Sequence, residues 1–224
     1  MNAPFINLEA YSVVELLLFS VGCYMWVIVY FIYIRNIIKH KFIEMPVFAA
    51  ASNFAWEFVW GFIPPPTDMG LLIVWAYRIW FFIDIFIFYG VLKYGHKQIT
   101  TPALLRYFVP IKFITVIAWI FIYYFFKAQG FDTVIGANSA YIAQIVISVL
   151  YVLLILKQRD ISMFSYSVAW LKMIGSGLIA VFMFMHYTDN HLLHTLCVLS
   201  VSLDIAYIII FIRKRAAGHV NRNV

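Results

Sequence analysis

Four ionisable side chains, Glu57, Arg78, Asp84 and Asp204, stand well inside long apolar runs of the sequence. A charge near the centre of a bilayer costs roughly 2.5–3.5 kcal/mol on insertion scales, so such residues are rare where nothing uses them. Two chemistries suit them. A carboxylic acid kept neutral by desolvation can act as a proton donor to a bound substrate. Intramembrane acids can equally relay protons through a carrier. Arg78 is the one cation among the four, so at least one of the acids should hold a proton at neutral pH.

Helical spacing sorts the neighbours of these residues, because positions i, i+3 and i+4 share a face. Asn53, Trp56 and Glu57 point together. Tyr77, Trp80 and Asp84 share a second face, with Arg78 on another side of the same helix. Tyr141, Gln144, Ser148 and Tyr151 form a third stripe, and Cys197, Ser200, Asp204 and Tyr207 a fourth. Glu57 and Asp204 are the acids hardest to assign to packing, since two acids outnumber the single buried cation. Asn53, Trp56, Arg78, Trp80, Asp84, Gln144 and Tyr207 are candidate supporting residues. Blander roles stay open: Arg78 paired with Asp84 or Glu57 as a packing ion pair, and Asn53 and Gln144 as interhelical hydrogen-bond glue. His186, His191 and His194 cluster near a turn without metal-ligand spacing, so no metal site is expected.

The elements that must position these side chains are membrane helices. Hydrophobic residues make up 65% of the 224 and charged residues 12%, about half the charged share of a soluble domain. The mean hydropathy is +0.91. Seven stretches approach the roughly 20 apolar residues of a spanning helix: about 11–34, 46–63, 70–92, 108–126, 137–156, 165–186 and 191–212. The expectation is an all-α integral membrane bundle of seven helices forming one domain over residues 1–224. The second stretch is short, and six is the competing count. No basic leader with a cleavage site opens the chain, so the first stretch is expected to stay as a helix.

The formal charge of +6 is explained by orientation, not by nucleic acid. Arg35, Lys39, Lys41, Lys93, Lys97, Arg106, Lys112, Lys157, Arg159, Lys172, Arg213, Lys214, Arg215 and Arg222 follow odd-numbered spans and fall on one side; of the 16 Lys and Arg, only Arg78 and Lys127 lie elsewhere. Basic residues mark the cytoplasmic face. This places the C-terminus in the cytoplasm and the N-terminus outside or in the lumen, in the endoplasmic reticulum of a eukaryote or the cytoplasmic membrane of a bacterium.

The run Asn53-Phe-Ala-Trp56-Glu57-Phe58 followed by Arg78-Ile-Trp80-Phe-Phe-Ile-Asp84 resembles the membrane-integral terpene cyclases of fungal meroterpenoid and indole-diterpene pathways, the pyripyropene-cyclase family. Val91-Leu-Lys93-Tyr-Gly95, Gly136-Ala-Asn-Ser139 with Gln144, and Asp204 with Tyr207 fit in the same order. The resemblance implies two essential acids, on the second and seventh spans, which fall on Glu57 and Asp204. Trp60 stands where the family block carries a Tyr, which leaves the substrate and ring pattern open.

The residues agree with that reading. An oily prenylated substrate can enter from the bilayer, and aromatic faces, drawn from 22 Phe, 15 Tyr and 7 Trp, can stabilise carbocations. No DDxxD-like or DxDD run is present. A magnesium-dependent, diphosphate-ionising cyclase is therefore not expected, and no cofactor is implied. A retinal protein would need a lysine within span seven for its Schiff base, and that span has none. A proton-coupled small transporter is the alternative, although the halves show no repeat and no paired broken helices.

Overall fold

The computed structural model describes residues 4–158 and 160–220, and among these it is all helical. The helices are α1 (Val13–His40), α2 (Val47–Phe62), α3 (Leu71–Tyr94), α4 (Pro102–Arg106), α5 (Phe108–Ala128), α6 (Ala137–Lys157), α7 (Tyr166–His186) and α8 (His191–Val220), with a 3₁₀ turn at Gly95–Gln98. The seven expected stretches all appear as helices; α4 is a short addition opened by Pro102 at its first position.

Local chemistry explains several boundaries. Ser12 and Glu15 form a reciprocal capping box at the start of α1: Ser12 Oγ accepts from the Glu15 amide at 3.3 Å, and Glu15 Oε2 accepts from the Ser12 amide at 2.7 Å. Such a box satisfies donors that a helix start leaves orphaned. Ser165 caps α7 by accepting from the Val168 amide. Gly70, before α3, has φ 114°, and a Cβ there would lie 2.6 Å from the carbonyl oxygen of Phe5. Gly136 opens α6 at φ 80° with the Trp60 ring pressed against it, 2.4 Å from where a Cβ would stand. Only glycine suits both.

Packing joins α1 to α7, α7 to α8, α8 to α6, α6 to α2, α2 to α3 and α3 back to α1, with α5 laid against α2. The bundle is thus a closed ring of six helices with a seventh outside it. Among the described residues, six helices are long and apolar enough to cross a membrane; α2 and the short α4 are the two that are not. The case of α2 is the closer one. Its 16 residues span about 24 Å at 1.5 Å per residue, short of a ~30 Å hydrocarbon core. Ten of them are buried, so protein rather than lipid surrounds α2. The bilayer is met by α5, whose Phe113, Ile114, Phe121 and Phe125 face outwards.

The charge distribution needs one correction. Lys112 and Lys172, expected among the flanking basic residues, are both fully buried inside α5 and α7. Lys112 donates to the Val47 carbonyl at the start of α2, and its ammonium lies 3.8 Å from the Phe48 ring centre. Arg159 and Arg222 lie outside the described residues.

Candidate active site

The ring of helices encloses a cavity of about 120 Å³, far above the ~10–15 Å³ that a single water needs. It is lined from α1, α2, α3, α6 and α7, and its wall is aromatic: Phe19, Trp26, Tyr30, Trp56, Tyr77, Trp80 and Tyr141. Most of the polar ends in this wall are tied back into the protein. Trp56 Nε1 donates to Ser139 Oγ at 2.9 Å, and Trp26 Nε1 to Ser176 Oγ at 3.2 Å. Tyr77 donates to the Ile135 carbonyl at 3.1 Å, and Tyr141 to the Ser176 carbonyl at 2.9 Å. The cavity therefore sees ring surface. Trp80 Nε1 is the exception, buried without a partner among the described residues.

Behind Trp56 the α5–α6 connection is organised by Asp132. Its carboxylate accepts from the amides of Thr133, Asn138 and Ser139 and from the Ser139 hydroxyl. Burial raises its pKa, and these hydrogen bonds oppose the rise. Asp132 thereby fixes Ser139, which in turn fixes Trp56.

Glu57 projects into the cavity from the fully packed face of α2. Its Oε1 accepts from the Tyr30 hydroxyl at 2.7 Å and from Asn53 Nδ2 at 3.0 Å. Its Oε2 has no hydrogen-bond partner among the described residues. Asn53 Nδ2 also lies 2.6 Å from Tyr30 Oη and 3.2 Å from Asp84 Oδ2. One amide therefore bridges two buried carboxyl groups. The salt bridges of the described residues, Lys172–Asp204 and His186–Glu15, include neither of them.

Asp204 is elsewhere. It is buried on α8 and does not line the cavity. Lys172 of α7 ion-pairs with its Oδ1, and Ser148 of α6 donates to the same oxygen at 2.5 Å. Lys172 also reaches Ser148 Oγ at 3.0 Å. Gln144 connects this cluster to the cavity: it lines the wall, and its Nε2 donates to Ser148 Oγ at 3.4 Å.

Of the residues expected from the sequence, Asn53, Trp56, Glu57, Trp80 and Gln144 meet around one cavity, and Asp84 joins them through Asn53. Among the described residues, Arg78 does not pair with an acid. It donates to the Gly61 carbonyl at 2.9 Å and packs its guanidinium over Trp75 and Phe62. Tyr207 is buried against Tyr151, at 5.3 Å between ring centres, away from the cavity. The acid beside Glu57 is thus Asp84, not Asp204, and the buried cation that answers Asp204 is Lys172. Lys172 and Tyr30 were the two missed residues. A lysine within Trp170-Leu-Lys-Met-Ile-Gly-Ser176, next to small residues that invite close packing, and a tyrosine in mid-span rather than at an interface were the available signals. Among the described residues no group of three or more His, Cys, Asp or Glu is placed to hold a metal ion. His186 instead stacks on Tyr11 and meets Glu15 at 3.1 Å.

The model of the Pyr4-like transmembrane terpene cyclases matches residues 2–217. Among curated proteins, the Pyr4-family terpene cyclase mfmH of Annulohypoxylon moriforme is 26% identical over 74% of this chain and 69% of its own. The terpene cyclase cle7 of Aspergillus versicolor is 32% identical over 41% of this chain and 38% of its own. The terpene cyclase ascF of Acremonium egyptiacum is 35% identical over 34% of this chain and 27% of its own. No solved structure matches.

Proposed function

Since the chain belongs to the Pyr4-like transmembrane terpene cyclases, we propose that it closes rings on a prenylated substrate by protonating an epoxide or alkene with Glu57. The observation that carries this reading is the state of that carboxyl group. One oxygen is held by Tyr30 and Asn53, and the other, buried in a side chain that lines an aromatic cavity, has no hydrogen-bond partner among the described residues. A proton on Oε2 is then the one that no hydrogen bond holds back from substrate.

Asp84 supplies the reason for the proton to stay. Two carboxyl groups bridged by one amide repel each other if both ionise, and among the described residues no cation is paired with either. In the reaction, the Oε2–H bond breaks as the proton passes to the epoxide oxygen or an alkene carbon. An epoxide C–O bond opens to leave a hydroxyl and a carbocation, and successive alkene π pairs attack to form rings. Loss of a proton from carbon, taken up in net by the Glu57 carboxylate, ends the sequence and restores the acid. The faces of Trp26, Trp56, Tyr77 and Trp80, which line the cavity, would stabilise the positive charge. Asp204 serves from behind the wall through Ser148 and Gln144.

Family membership favours the enzyme over the transporter, and lateral entry from the bilayer suits an oily substrate. The cytoplasmic C-terminus remains part of this reading, carried by the basic residues at Lys39, Lys41, Lys93, Lys97 and Arg213 to Arg215. The test is incubation of membranes containing the protein with epoxyfarnesyl- and epoxygeranylgeranyl-bearing substrates, with products identified by mass spectrometry and NMR. Cyclic isomers of the substrate are expected. Recovery of substrate alone across such a panel would overturn the reading.

A further inference from the structure

The ion pair of Lys172 and Asp204 is fully buried, makes no contact with the cavity, and is absent from the proton-donating side of the site. Its use is not stability: a buried ion pair replaced by apolar groups of similar volume is often no less stable. What the pair does determine is the hydrogen-bond direction at Ser148. A hydroxyl has one hydrogen to give. A carboxylate only accepts and an ammonium only donates, so Ser148 gives its hydrogen to Asp204 Oδ1 at 2.5 Å and receives from Lys172 at 3.0 Å. Ser148 has no hydrogen left for Gln144, whose amide can meet it only through nitrogen.

Building on the cyclase reading above, we infer that Lys172 is a positioning residue which, through Asp204 and Ser148, locks the Gln144 amide with its carbonyl oxygen towards the bound chain, where that oxygen stabilises carbocations. The carbonyl is the negative end of a fixed dipole in a site of low polarity, which is where preorganised dipoles are most effective. Without the pair, Ser148 is free to donate to Gln144, the amide can turn over, and its NH₂ would face the cation instead. Ser176, one turn beyond Lys172 on α7, lines the same cavity and holds Trp26 and Tyr141. The helix that carries the lysine is therefore anchored to the wall it acts upon.

Binding rather than turnover tests this, so the outcome does not depend on the acid assignment. The probes are a prenylated tertiary amine, protonated at neutral pH as a carbocation mimic, and its hydrocarbon isostere, measured on protein in nanodiscs. Wild type should prefer the ammonium by about tenfold or more, the worth of one hydrogen bond to a charged group. E57Q should keep that preference. Q144L should lose it, and so should S148A, in which the ion pair is intact. K172M/D204L, in which neither a lone buried charge nor an acceptor for the Ser148 hydrogen is left, should fold normally, lose the preference and give altered product ratios. A double variant with wild-type preference would overturn the inference, as would wild-type protein that binds the two probes equally. Turnover of E57Q within about tenfold of wild type would count against the acid assignment alone.

Discussion

Replacing Glu57 by Gln separates proton donation from everything else that the side chain does. The amide oxygen can still accept from Tyr30 and Asn53, at present 2.7 and 3.0 Å from Oε1. The new NH₂ takes the place of Oε2, which has no partner among the described residues. One unsatisfied buried donor costs about 1–3 kcal/mol, within the roughly 5–15 kcal/mol stability of a typical protein, so the variant should accumulate in membranes. Loss of a positioned general acid removes about 10²–10⁴ in rate, or roughly 3–5 kcal/mol of barrier at 1.36 kcal/mol per tenfold. The assay is product formation per folded protein in membranes, with substrate binding measured in parallel. Asp84→Asn is the control, since it keeps a hydrogen-bonding group at Asn53 while removing the second acid. It should cost less than Glu57→Gln. Turnover of E57Q within about tenfold of wild type would refute the assignment, and a complete loss confined to D84N would move the donor to Asp84.

Three further outcomes follow. Asp204→Asn leaves Lys172 buried without its counter-charge, which costs about 3–5 kcal/mol, so folded protein in membranes should fall before any kinetic comparison with E57Q is possible; normal accumulation would show the ion pair to be dispensable. Glu44, buried in the α1–α2 connection and accepting from the Ser165 amide at 3.0 Å, has its pKa pushed up by burial from 4.5 to about 8. The folded state then holds a proton that the unfolded chain releases, so stability should fall by roughly 1.4 kcal/mol per pH unit between 4.5 and 8; thermal unfolding in detergent should show that slope for wild type and not for Glu44→Gln, which keeps the acceptor. Reporters fused at the C-terminus and inserted in the 129–136 connection should read opposite sides of the membrane, and the same side for both would break the seven-crossing topology.

The faces of the helices were legible in the sequence because a 3.6-residue period fixes which side chains rise together. Asn53, Trp56 and Glu57 meet the cavity, and Cys197, Ser200, Asp204 and Tyr207 are all buried, as spacing alone required. Periodicity does not say which stripes oppose one another. Glu57 and Asp204 were paired by expectation, yet α2 turns its acid towards α1 and α3, while α8 turns its own towards α6 and α7. Lys172 was counted with the flanking basic residues because a lysine near a helix end ordinarily snorkels to the interface. Only a counter-charge on another helix, invisible to local sequence, makes its burial tolerable. Arg78 shows the converse: its position in an apolar run suggested an ion pair, but a backbone carbonyl and two ring faces satisfy it.

The separation of the two acids has a physical logic of its own. A lysine within reach of Glu57 would draw it into an ion pair, and a carboxylate so held has no proton to give. Asp204 satisfies Lys172 on the far side of Gln144. The pair is neutral as a whole, so it neither ionises Glu57 by proximity nor repels a carbocation moving along the cavity. It retains a direction, however, and Ser148 passes that direction to the amide at the wall. On the other side, Asn53 binds Glu57 and Asp84 together without bringing a charge of its own. On the proposed reading, the initiating acid is thus kept among neutral donors, and the fixed charges are kept one hydrogen-bonded layer behind the surface that the substrate would touch. That division would let one cavity both supply a proton and hold the cation that results.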